Sequence, residues 1–159
     1  MFIESQTVEL KREIGDMQGP IKTACAFANT HGGKIFFGVD DKGIAVGIPT
    51  DELDRTQQRM MQGMRQLSPV PFYEIDVLEE NGVNIVQLEV EPMMYGTICS
   101  YQGVIYYRHG SVTERAEGPT LQELLVRRKV VDFELSISRS ALEDLDAEAV
   151  CSVETIVFY

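Results

Sequence analysis

Four carboxylates in the N-terminal third have the types and spacing of a hard-cation site: Glu4, Glu9, Asp40 and Asp41. Glu4 and Glu9 flank a short strand expected over Thr7–Leu10, and Asp40 and Asp41 end the next buried strand. Carboxylate oxygens gathered this way hold Mg²⁺ or Mn²⁺, and such a metal activates water and stabilises a scissile phosphate. Glu4, Glu9 and Asp40 are therefore the candidate metal ligands and catalytic acids of a metal-dependent nuclease. Outside that reading no cofactor is required. The same residues also suit purely structural duties: two glutamates beside a strand, and an Asp40-Asp41-Lys42-Gly43 turn chosen for its backbone chemistry.

A second set suits phosphate binding without catalysis. The candidate contacts are Lys11, Arg12, Lys34, Arg55, Arg59 and Arg108. Arg55 and Arg59 are four residues apart, which puts them on one face of a helix. Arg127-Arg128-Lys129 forms a basic cluster, and Tyr101, Tyr106 and Tyr107 offer rings for base stacking. Tyr107 and Arg108 alternate across a strand, so only one of them can face a ligand. Other chemistries lack their motifs. Gly32-Gly33-Lys34 does not have the spacing of a phosphate-binding loop, and the dinucleotide glycine fingerprint is absent. His31 and His109 have no cysteine partners at zinc spacing. His31 fits a helix end, where a cation is favoured.

Charge constrains the binding reading. The 159-residue chain carries a formal −11. Residues 131–159 hold seven acids against one base, a net −6, which leaves −5 on residues 1–130. Phosphate affinity comes mostly from Lys and Arg, so a nucleic-acid surface here must be a local basic patch. Three cysteines, odd in number and far apart in sequence, argue against a disulfide framework and for a reducing compartment, the cytoplasm. No stretch approaches the ~18 apolar residues of a membrane span, and no basic, apolar leader opens the chain.

The elements that position these residues are legible in outline. Apolar and small residues at helical spacing (Ile21, Ala24, Cys25, Ala28) predict a helix from Pro20, stopped by Gly32 and Gly33. Lys34–Val39 is an apolar run expected as a buried strand, and Ile44–Ile48 is expected to return as the second arm of a hairpin. A second helix is predicted from Thr50, as its cap, to about Leu67, ended by Ser68-Pro69-Val70-Pro71. Asn81-Gly82 joins strands over residues 73–78 and 83–90. A further hairpin ends at Arg108, Gly110–Thr113 is expected as a loop, and Thr120 with Glu123 has capping-box spacing for a third helix. The fold class is therefore α+β: one mixed, mostly antiparallel sheet packed by two main helices, with a short third helix. Residues 1–130 form the domain, and 131–159 an acidic extension or the start of a linker toward a missing domain.

Several of these segments carry a family likeness. Glu4-x4-Glu9-Leu10-Lys11, Ala26-Phe27-Ala28-Asn29-Thr30-x-Gly32-Gly33, Phe37-Gly38-Val39-Asp40-Asp41-x-Gly43-x3-Gly47 and Ile105-Tyr106-Tyr107-Arg108-x-Gly110-Ser111 together resemble the Schlafen-type AlbA domain over roughly residues 1–130. The block around Asn29, Gly32, Gly33 and Gly38 is its structural signature. The resemblance implies a DNA-binding module of bacterial transcriptional regulators and helicase-like proteins, usually ahead of an ATPase or winged-helix segment. In animal Schlafen proteins a relative cleaves structured RNA with carboxylates. Glu4 and Glu9 match the spacing of two of those acids, and Asp40 or Asp41 sits where the third is expected. Three functions thus stand open: a nucleic-acid-binding module for DNA or RNA, a Mg²⁺- or Mn²⁺-dependent endoribonuclease, and a protein-interaction module. The expected partner is nucleic acid, with no membrane. A homodimer is expected because two patches bind better than one.

Overall fold

Helical and strand periodicities sort the chain into an α+β domain in the computed structural model, which describes residues 1–131. The elements are β1 (Val8–Lys11), α1 (Gln18–Asn29), β2 (Gly33–Phe37), α2 (Leu53–Met64), β3 (Leu67–Ser68), β4 (Tyr73–Glu80), β5 (Val83–Val90), β6 (Ser100–Tyr101), β7 (Tyr106–His109), β8 (Val112–Arg115) and α3 (Gly118–Arg127). The main sheet has the order β1-β2-β5-β4. Only β1 and β2 are parallel; the other pairs run antiparallel, as the sequence predicts. Strands β3 and β6 form one small sheet, β7 and β8 another. The acidic segment expected as an extension lies outside the described residues from Asp132 onward.

The two-residue period of the strands divides the core. Ile35, Phe37, Val86, Leu88 and Val90 turn toward α1 and the α2 methionines Met60 and Met64. Leu10, Phe36, Val39 and Ile85 turn to the opposite face, where Phe2 and Ala45 pack on them. Helix α1 is not amphipathic in the ordinary sense, because nine of its twelve residues are buried. Its small side chains, Ala24, Ala26 and Ala28, let the sheet approach on one side and β7 on the other. Asn81 and Gly82 both take positive φ (53° and 80°), the turn that a tight β4–β5 hairpin requires.

Two glycines explain why the chain leaves α1 as it does. Gly32 has φ +73°, and its N–H closes the helix on the Phe27 carbonyl at 2.8 Å. A Cβ there would lie 2.7 Å from the Val90 carbonyl oxygen. At Gly33 the constraint is proximity alone: a Cβ would meet the Phe27 ring at 2.8 Å. Gly32→Ala is expected to cost about 1–2 kcal/mol for the left-handed backbone, plus the clash, read as a lower urea midpoint at unchanged slope.

Four local expectations are corrected. Ile44–Ile48 is not a strand: only the Val39–Ala45 bridge forms, and Val46 and Gly47 instead donate to the Gly38 carbonyl. Gly38 itself has φ +89°. Gly110–Thr113 is not all loop, because Val112 and Thr113 begin β8 and pair with β7. The Thr50 side chain caps nothing; the chain enters α2 through a 3₁₀ turn over Thr50–Glu52. Helix α3 begins at Gly118, ahead of Pro119, with no side-chain cap, and Glu123 is paired to Arg127 at 2.5 Å instead of reaching back to Thr120.

Candidate functional site

The expected carboxylate centre does not assemble. Glu9 lies inside β1, opposite Ile35 in the register, so the strand's period turns it under the helical layer. There its two oxygens accept from Lys11 Nζ at 2.7 Å and Arg108 Nη2 at 2.8 Å. Glu4 is exposed and accepts from the Leu10 N–H at 3.3 Å. Asp40 Oδ1 accepts from the backbone N–H groups of Lys42 and Ile44, both at 2.9 Å, which is the Asx-turn duty of its position. Among the described residues, no three His, Cys, Asp or Glu side chains gather to hold a metal ion. Each acid is engaged in a separate local task in this structure.

Arg108 is a second correction. It was a candidate phosphate contact, yet its side chain is 1% exposed. Besides Glu9, its guanidinium donates to Thr113 Oγ1 (3.0 Å) and to the carbonyls of Ser5 (3.1 Å) and Val8 (3.3 Å), and it lies over the Phe27 ring. It ties β7 to the start of β1 across about a hundred residues of sequence. Lys11 is held by Glu9, and Lys34 by Glu89 at 3.1 Å.

Asn29 is likewise structural. Its fully buried carboxamide donates to the carbonyls of Cys99 (2.8 Å) and Tyr106 (2.9 Å) and accepts from the Cys99 N–H (2.7 Å). One side chain thereby fastens α1 to β7 and to the residue that precedes β6. Asn29→Ala leaves a buried N–H and two carbonyls without that partner. The expected loss is at least about 2 kcal/mol, measured by chemical denaturation. Cys25 and Cys99, far apart in sequence, are neighbours here: Cys25 Sγ donates to the Cys99 carbonyl at 3.4 Å. The hydrogen bond with the Cys25 thiol, together with burial, pushes the Cys99 thiol above its ordinary range, while Cys25 is lowered, chiefly by Cys99.

Three of the predicted bases do converge. Arg12, Arg55 and Arg59 line one cleft of about 350 Å³, together with Glu13, Glu52 and Thr56. Arg12 follows β1, and the other two sit four residues apart on α2, so the helical period delivers both to the same side. Arg59 shapes the cleft: it donates to the carbonyls of Ile14 (3.0 Å) and Gly15 (2.6 Å) and pins the β1–α1 loop to α2. Arg12 and Arg55 are exposed and, among the described residues, have no ion-pair or hydrogen-bonding partner. Two unengaged guanidiniums beside an immobilised third offer donors to an oxyanion, with Glu13 and Glu52 in the same lining.

Residues 4–117 match the family model described as Schlafen, AlbA_2. Among solved structures, the DIP2311 protein from Corynebacterium diphtheriae superposes with a TM-score of 0.54 at 20% identity, over 80% of this chain and 28% of that one. That likeness is one of fold, and this chain spans 28% of the longer protein's length. The N-terminal domain of a RecG-related protein from Nitrosomonas europaea aligns at 26% identity with a TM-score of 0.47, over 72% of this chain and 86% of that one. Among the described residues, no helix is long and apolar enough to cross a membrane.

Proposed function

The chain belongs to the Schlafen AlbA_2 family, and from that premise we propose that it is a DNA-binding module which grips the phosphate backbone in the Arg12–Arg55–Arg59 cleft. The convergence of those three arginines, one just after β1 and two on α2, carries the proposal. It answers the difficulty posed by the chain's net charge of −11. Backbone affinity depends on cations at the contact, so a local cluster suffices on an acidic protein. Two acids, Glu13 and Glu52, share the cleft and offset part of its positive charge, so binding there is expected to be modest and salt-sensitive. The buried commitments of Glu9 and Arg108 give no support to a nuclease.

The finer reading is a transcriptional regulator acting in the cytoplasm as part of a longer protein. A homodimer would present two clefts and raise affinity through effective concentration. Fluorescence anisotropy with labelled duplex DNA, single-stranded DNA and hairpin RNA, over a salt series, tests the reading. A cleft neutralising about three phosphates predicts a slope of log K against log salt near −2.7 on duplex. Preference for hairpin RNA over both DNAs would replace DNA as the target. No binding to any of the three at ~10⁻⁴ M, the weak end of non-specific affinity, would reject the proposal and leave a protein-interaction role. Sedimentation of the same sample reads the dimer.

A further inference from the structure

A second cleft, of about 530 Å³, lies where α1 ends, between β7 and α3. Its residues include Gln6 and His31, which precede β1 and β2, so it stands at the opposite end of this parallel pair from Arg12. Its size is ordinary for a small-molecule site. What sets it apart is the state of its arginines. Arg108 and Arg128 both line it, are 3% and 8% exposed, and each has a buried Nε–H with no hydrogen-bond partner. Orphaned buried donors are rare, because each costs about 1–3 kcal/mol.

The two differ in charge balance. Arg108 is neutralised by Glu9. Arg128 donates only to the Met93 and Met94 carbonyls, and no carboxylate among the described residues lies in ion-pair range. A guanidinium removed from water without a counter-charge favours an incoming anion. Further donors line the same cleft. Gln6 Nε2 lies 3.4 Å from His31 Nδ1; with the amide donating, the neutral ring carries its proton on Nε2. His109 and Arg127 are exposed beside it, and Arg127 is shared with Glu123 at 2.5 Å.

The cleft also holds an aromatic surface. Tyr95 is 71% exposed, with the Arg128 guanidinium 5.5 Å and the Lys129 ammonium 5.1 Å from its ring centre. An exposed tyrosine ring next to uncompensated cations matches a ligand with a planar ring at one end and an anion at the other. Tyr107 is the less available ring, since its hydroxyl donates to Glu114 at 2.5 Å, a bond that raises its phenol. From these observations we infer that the cleft binds a nucleotide, with the phosphate on Arg128 and its neighbouring donors and the base on Tyr95. The sequence has no phosphate-binding loop, so the phosphate would be held by side chains such as Arg128. This inference does not rest on the three-arginine cleft.

Titration calorimetry of the full chain with AMP, adenosine and inorganic phosphate tests it. AMP is expected to bind more tightly than either part alone. Tyr95→Ala removes an exposed ring, so the variant should melt like the parent. It should weaken AMP by about 5- to 150-fold, the range of one base–aromatic stack, and leave phosphate unchanged. The Arg12→Glu/Arg55→Glu variant should bind AMP as the parent does, which separates this site from the DNA cleft. In that variant background a short single-stranded oligonucleotide distinguishes the sources. Competition with AMP marks a nucleotide within a strand, and no competition marks a free nucleotide; either supports the site. AMP no tighter than phosphate, unchanged AMP affinity in Tyr95→Ala, or no heat with AMP up to ~1 mM would each overturn it.

Discussion

The Arg12→Glu/Arg55→Glu variant is expected to lose duplex DNA affinity by about a hundredfold or more at low salt while keeping its melting temperature. Charge-assisted hydrogen bonds contribute about 1.5–3 kcal/mol each, and reversal adds repulsion to their loss. The salt slope should flatten by about 1.8, since two phosphate contacts disappear. Neither side chain holds the fold, because both are exposed and without partners among the described residues. The contrast with other arginines makes the test specific. Arg59→Gln should weaken binding and also soften the domain, because it releases the Ile14 and Gly15 carbonyls. Lys34→Glu should matter less, since Lys34 is already paired with Glu89. Full affinity in the double variant would show that DNA lies elsewhere on the surface.

The second large effect concerns stability. Glu9→Ala is expected to cost about 3–5 kcal/mol, because it leaves the nearly fully buried Arg108 guanidinium with no carboxylate. For a domain of this size that is a fall of roughly 10–20 °C in melting temperature. A double-mutant cycle identifies the cause. Arg108→Met alone removes donors from the Ser5, Val8 and Glu9 oxygens, yet in the Glu9→Ala background it also removes the stranded charge. The two losses should therefore fall short of additivity by about 1–3 kcal/mol. Strict additivity would mean that Glu9 and Arg108 act independently. The result also bears on any nuclease assay, since lost activity in a Glu9 variant must be read against its lost stability.

The fold class was legible because local signals agreed with the global arrangement. The Asn81-Gly82 turn, the small-residue run of α1 and the glycines after it each demand one local geometry. The short pieces were not legible in the same way. Strand β8 reads as a loop because Val112–Arg115 lacks an apolar alternation and is held by pairing with β7. The true start of α3 is set by Gly118 and Pro119, and the capping spacing of Thr120 and Glu123 goes unused.

For the site the division is sharper. Residue type and i, i+4 spacing were enough to place Arg55 and Arg59 together, because helical periodicity acts within one element. Nothing in the sequence says that Arg12 joins them, or that Tyr95 meets Arg128 across more than thirty residues. Nor does spacing tell a ligand carboxylate from a buried counter-ion. Glu4-x4-Glu9 reads the same in either role, and the parity of β1 against the helical layer turns Glu9 inward onto Arg108. The sequence by itself determined the elements, the turns and the charge each side chain carries, because those depend on neighbours along the chain. The tertiary structure alone decided which charges are spent in the interior and which remain for a partner, because burial and pairing depend on neighbours across space.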